Sequence, residues 1–175
     1  MGYEIAGGVG VKLALPEREV VVMVGDGSYL MLSSELATSV TLQAKIIVVV
    51  LDNHGFGCIN RLQAATGGAP FNNLLADTPH QSPASIDFAA HARSLGAGAE
   101  QVDSIAALEA AMIRARASTL SYCVVIETDP DATTEVGGHW WDVAVPQVSP
   151  RPQVNDAHDR YRTMLGSEDT PDESA

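Results

Sequence analysis

Val20-Val21-Val22-Met23-Val24-Gly25-Asp26-Gly27-Ser28 is a mostly β-branched apolar run that ends on a glycine-flanked aspartate. Such a run reads as a buried strand delivering a carboxylate to its C-terminal edge. In an open α/β sheet, ligands bind at that edge. The glycines let backbone come close to a phosphate, and Asp26 is a hard oxygen ligand suited to Mg²⁺ or Ca²⁺. The pattern recurs where the run over 46–51 delivers Asp52-Asn53-His54-Gly55. Asp26 and Asn53 lie 27 positions apart (53 − 26), the length of one strand–helix–strand crossover. Either tetrapeptide alone also reads as a tight turn. Together, each after a buried strand, they read as the halves of one site.

Working outward, residues 4–15 carry apolar positions at helical spacing, closed by Pro16. Gly7, Gly8 and Gly10 weaken that helix in isolation, so it is expected to pack closely on a neighbour. A helix is expected over 29–42, with Ser33-Ser34 and Glu35 near its first turn, and a strand over 45–51. Residues 55–83 read as one long irregular loop. Ser85 is expected to cap a helix over 86–95, and Gly96 to end it. A strand over 97–102 precedes an amphipathic helix capped by Asp103 or Ser104, with Leu108 and Met112 in its core stripe. The last strand is expected over 122–127. This order implies an α/β fold, a mostly parallel sheet with helices on both faces. Beyond residue 130 an aromatic- and proline-bearing arm covers 131–155. An acidic tail covers 156–175; a short helix is expected over 155–165 and disorder in the tail.

The 175 residues are 46% hydrophobic and 18% charged, which suits a globular domain. The formal net charge of −12 argues against a nucleic-acid or anionic-membrane surface. An anionic ligand would therefore need a metal or backbone dipoles to hold it. No apolar stretch is long enough to span a bilayer, and residues 1–4 do not open a secretion signal. Cys58 and Cys123 give no disulfide framework, so a reduced, cytoplasmic setting is expected. No GxxxxGK[ST] motif occurs, and Gly8-Val9-Gly10 does not continue as GxGxxG.

Asp26, Asn53 and one backbone carbonyl make a half-shell for Mg²⁺, with water and substrate phosphate completing it. The N–H groups of Gly27 and Ser28, near a helix start, suit phosphate oxygens. His54 reads as a solvated loop residue and His91 as a helix-surface residue. His80 reads as a loop residue, and Cys58 as a small buried apolar one. Phe56 is free to pack on a ligand or on protein. Trp140-Trp141 reads as an anchor onto a partner subunit, a site cover or a satellite cluster.

Gly25-Asp26-Gly27, followed after the right gap by Asp52-Asn53, resembles the signature of the thiamine-diphosphate-dependent enzymes. The family's pair is usually Asn-Asn, so Asp52 departs from it while Asn53 matches. The resemblance implies thiamine diphosphate and Mg²⁺ as cofactors. Asp26, Asn53 and the Gly55 carbonyl are the implied metal ligands; Gly25, Gly27, Ser28, Asn53, Gly55 and Phe56 are implied cofactor contacts. Met1, ahead of Gly2-Tyr3-Glu4-Ile5-Ala6-Gly7, is implied as the apolar wedge that bends the cofactor.

The stretches 52–60 and 86–90, with Trp140-Trp141 and residues 143–149, resemble the branch that hydrolyses a C–C bond of a cyclic trihydroxy-1,2-diketone in myo-inositol breakdown. An acetolactate-synthase-like or 2-oxoacid decarboxylase activity, or a non-catalytic cofactor-binding or assembly module, stays open beside it. The family takes its activating Glu from a separate pyrimidine-binding domain, so no catalytic residue is expected in this chain. Glu4 and Glu35 read as surface or capping residues. The implied assembly is a homo-oligomer in which that domain or a second subunit completes a small-molecule site, with no nucleic acid and no membrane. The implied fold is the family's diphosphate domain over 1–130, partial and lacking its first strand and helix; without the Glu-bearing domain this chain alone is expected to be inactive.

Overall fold

Strand β2 (Ile47–Asp52) is buried on both sides along Ile47–Val50, as a central parallel strand should be. A computed structural model describes residues 1–79, 86–132 and 143–168. Beside β2 lie β1 (Val21–Gly25) and β4 (Tyr122–Glu127), with β3 (Gly98–Val102) beyond β4. All neighbouring strands are parallel, in the order β1-β2-β4-β3. The register pairs Gly25 with Leu51, and Asp52 with Glu127. The C-terminal ends of three strands therefore come level, and Asp26, the 52–55 turn and Glu127 share one edge.

Helices cover both faces. On one face α1 (Tyr3–Ala14), α3 (Ser34–Thr41) and α5 (Phe88–Ser94) pack Ile5, Val9, Leu36, Ala89 and Ala92 against Val22, Val24, Val48, Val50 and Val125. On the other, α6 (Ile105–Ala117) seats Ala111, with Leu108 and Met112 beside it, on Val49, Val102, Val124 and Ile126. Alternation along each strand makes this division. No β1 residue belongs to the cluster under α6. Val21 and Met23 are 41% and 64% exposed although β1 is apolar throughout.

Several local expectations are corrected. The helix foreseen over 29–42 is two helices, α2 (Asp26–Leu32) and α3, meeting at Ser33, where Leu36 N–H donates to the Ser33 carbonyl at 3.0 Å. Helix α2 starts at Asp26 because the extended Gly25 is its N-cap. Helix α5 is capped by Asp87, whose Oδ1 accepts from Ala90 N–H at 2.7 Å, not by Ser85, which lies outside the described residues. Ser104 caps α6 as foreseen. The supposed loop over 55–83 contains α4 (Gly57–Ala65) and a 3₁₀ turn at Leu75–Asp77. The helix formers Arg61, Leu62, Gln63, Ala64 and Ala65 outweigh the glycines and prolines farther along.

Contacts divide the chain into two units. Met1–Phe56 with Pro79–Pro130 forms one and contains the sheet; Gly57–Thr78 with Asp131–Ala175 forms the other. Within the second unit, Gly67 turns with φ +79, and a Cβ there would lie 2.2 Å from the Gln153 carbonyl oxygen. Arg151 Nε donates to the Gly67 carbonyl at 2.8 Å. This fastening begins α7 (Pro152–Glu168), which buries Val154 and Ala157. The short helix expected over 155–165 is present and longer, running to 168, while residues 169–175 of the acidic tail lie outside the described residues. Trp140-Trp141 lies outside the described residues, as does His80.

Candidate functional site

Asp26 is the first residue of α2 and only 4% exposed. Its Oδ2 accepts the Gly55 N–H at 2.7 Å, and its Oδ1 accepts the Asn53 N–H at 3.4 Å. One carboxylate thereby ties the ends of β1 and β2. Burial pushes the Asp26 carboxyl above its ordinary range; the Gly55, Asn53 and Gly27 N–H groups oppose that, and the Asp52 charge adds to it.

The Asn53 carboxamide completes the arrangement. Its outer end lies 3.0 Å from the Gly55 carbonyl oxygen and 3.2 Å from Asp26 Oδ1. With the amide nitrogen turned inward, it donates to both. With the oxygen inward, three oxygens meet with no hydrogen between them, an arrangement that a cation satisfies. Carboxylate, carboxamide and carbonyl are all hard donors, suited to Mg²⁺ or Ca²⁺ rather than to a soft metal. Among the described residues no cluster of three or more His, Cys, Asp or Glu side chains is set to hold a metal.

The glycines have separate reasons. At Gly27 a Cβ would lie 2.6 Å from the Phe56 ring and 3.2 Å from the Gly55 carbonyl oxygen. Phe56 therefore packs on protein. At Gly25 a Cβ would meet nothing within 4 Å, so no packing among the described residues demands a glycine there. That open edge lies beside the first N–H groups of α2, at Gly27 and Ser28, the Gly27 N–H also serving the Asp26 carboxylate. Phosphate oxygens fit such a cradle.

The structure brings together Asp26, Gly27, Asn53, Gly55 and Phe56, with Gly25 and Ser28 flanking them. Met1 stands 63% exposed ahead of α1, where Gly2 lies against Met31 of α2.

Other readings change. His54 is not merely solvated: its Nε2 lies 2.8 Å from Glu127 Oε1, and its N–H donates to Asp52 Oδ1 at 3.0 Å. The Glu127 hydrogen bond raises the imidazole pKa; burial opposes it, and the charges of Asp52, Glu127 and Asp26 add to it. Glu127 escaped the sequence reading because only the β2–β4 register places it beside Asp52. His91 has a partner too, the buried Tyr29 hydroxyl at 3.0 Å from its Nδ1. Cys58 is exposed, whereas Cys123 is buried. Glu4 is half-buried, with Oε2 sealed from water and lacking a partner among the described residues.

Residues 1–127 match the model of the thiamine pyrophosphate enzyme, C-terminal TPP binding domain. The chain is 43% identical over 165 residues to a 3D-(3,5/4)-trihydroxycyclohexane-1,2-dione hydrolase of Bacillus cereus (strain AH820), covering 91% of this chain and 26% of that protein. A protein of the same name from Geobacillus thermodenitrificans (strain NG80-2) is 42% identical over 164 residues, with 90% and 26% covered. The chain thus spans about a quarter of the length of these curated relatives. Among solved structures, a Rhodococcus jostii RHA1 thiamine diphosphate-dependent 4-hydroxybenzoylformate decarboxylase superposes with a TM-score of 0.64 at 22% identity. That likeness covers 74% of this chain and 23% of the other, and it speaks for the fold alone.

Proposed function

The chain belongs to the thiamine pyrophosphate enzymes, through their C-terminal TPP-binding domain, and on that premise we propose that it holds the cofactor's diphosphate through Mg²⁺. The observation that carries the reading is the end of the Asn53 carboxamide, which lies 3.0 Å from the Gly55 carbonyl oxygen and 3.2 Å from Asp26 Oδ1 across the strand ends. These would be the protein ligands of the ion. Gly27 and Ser28 N–H groups would take phosphate oxygens, and the open edge at Gly25 leaves room for them.

Thiamine diphosphate, when bound, would supply a nucleophilic carbon and an electron sink for C–C bond cleavage. This chain's residues anchor and orient. Asp26 carries the negative charge that answers the ion, and its bonds to Gly55 and Asn53 N–H set the second half of the site in advance. Phe56 closes over Gly27 and bars side-chain bulk from the phosphate cradle.

For the whole enzyme we propose hydrolysis of a C–C bond in a cyclic trihydroxy-1,2-diketone. The identity to the dione hydrolases over 91% of this chain supports it. The activating Glu would come from a pyrimidine-binding domain or a second subunit.

Calorimetry on this chain tests the anchoring half. Mg²⁺ with thiamine diphosphate should bind, and Asp26→Ala should abolish the Mg²⁺ requirement along with most of the affinity. Equal affinity in the variant sinks the ligand assignment. For the whole enzyme, turnover of pyruvate to acetolactate in place of ring opening would overturn the substrate reading.

A further inference from the structure

We infer that Glu127, at the end of β4, is a positioning residue for the oxygen cluster: through the His54 imidazole it fixes the turn that aims Asn53 and Gly55 at Asp26. The inference rests on the cation-site reading and adds to it a residue outside the ligand set.

His54 has φ +62, a left-handed step that a side chain resists and a glycine would take freely. Strain of that kind persists where the surroundings over-determine it. Here four contacts do so. The His54 N–H is held by Asp52 Oδ1 at 3.0 Å. The ring reaches across to Glu127 Oε1 at 2.8 Å, while its Nδ1 lies 3.4 Å from Asp52 Oδ1. Below the turn, Thr128 N–H donates to the Asp52 carbonyl at 2.7 Å and keeps the β2 and β4 ends in register. The turn is thus gripped from both sides, by Asp26 at the end of β1 and by Glu127 at the end of β4. A histidine at this left-handed position makes physical sense through that second grip. Asp52 supplies a carboxylate oxygen to the same ring.

His54 and Glu127 are 49% and 63% exposed, so the grip is a modest one. Exposed pairs of this kind shift equilibria about two- to fivefold.

The test uses the 175-residue chain. Mn²⁺ affinity is titrated by electron paramagnetic resonance with thiamine diphosphate present. Exchange of the Gly55 amide, which donates to Asp26, is followed by NMR with neither ligand. Glu127→Ala and His54→Ala should each weaken Mn²⁺ binding about two- to fivefold and speed Gly55 exchange. Glu127→Gln should keep the native values, because its carboxamide oxygen still accepts from the ring. The double variant should lose no more than either single one. Additive losses, or unchanged Gly55 exchange in Glu127→Ala, overturn the inference. If the unsubstituted chain binds no Mn²⁺, the cation reading falls by itself, and Gly55 exchange still decides whether Glu127 holds the turn.

Discussion

Replacing Gly8 by alanine should destabilise the fold, although it improves the helix. A Cβ at Gly8 would lie 2.4 Å from Val22 Cγ2 and 3.7 Å from Val20 Cγ1. Favourable carbon contacts begin at about 3.5 Å, so the added methyl forces α1 and β1 apart. Overpacking a buried position costs about 1–3 kcal/mol, and this approach belongs at the upper end. Alanine in a helix interior recovers about 1 kcal/mol over glycine. The net loss is about 2 kcal/mol, or about 4–8 °C in Tm for a chain of this size. Gly10, in the same helix, supplies the control, because a Cβ there meets nothing within 4 Å. Gly10→Ala keeps the propensity gain alone and should raise Tm by about 2–4 °C. Thermal unfolding followed by far-UV circular dichroism measures both. In a Val22→Ala background, Gly8→Ala should lose its penalty. If both alanines raise Tm alike in the native background, α1 does not seat Gly8 on Val22 and the packing argument is wrong.

Mg²⁺ with thiamine diphosphate at about a hundred times Kd should stabilise the chain by about 2.7 kcal/mol, or about 5–11 °C, and Asp26→Asn should remove the shift; differential scanning calorimetry with and without chelator reads it. Arg114 donates to Glu100 from Nε at 2.9 Å and from Nη2 at 2.6 Å, with the Tyr122 hydroxyl on the same carboxylate. The Arg114 contact holds the Glu100 carboxyl below its ordinary value, so its stabilisation is present above the usual carboxylate range and lost as pH falls through the lowered folded value. Denaturant unfolding of Glu100→Gln should therefore differ from the native chain at neutral pH and converge with it in acid; a constant difference would refute the linkage. Burial pushes the Cys123 thiol up to about 12, whereas Cys58 is exposed. Iodoacetamide should label Cys58 in the folded chain and Cys123 only after unfolding, as peptide mass mapping would show.

Strands β1, β2 and β4 were legible because they are short apolar runs ending at polar residues, the pattern of buried parallel strands. Asp26 and Asn53 were legible because their spacing equals one crossover. What escaped the sequence depended on neighbours distant along the chain. Glu127 meets His54 only through the β2–β4 register, and Tyr29 meets His91 only once α2 and α5 share a face. The role of Gly27 was half visible: close backbone approach was expected, but the approaching group in this structure is the Phe56 ring. Helix α4 was missed because glycines and prolines dominate 67–83 and drew the preceding helix formers into the same reading.

Among the described residues, strands β1 and β3 are the sheet's edges, each hydrogen-bonded along one side only, and β1 also keeps Val21 and Met23 uncovered. Opening fluctuations of a native sheet start at such a margin. Asp26 rides on the end of β1, whereas Asn53 and Gly55 follow the interior strand β2. An ion clasped between them would rivet the margin to the middle of the sheet. Cofactor occupancy and fraying of the first strand are then one coupled equilibrium, and protection of the β1 amides against exchange becomes a gauge of how full the site is.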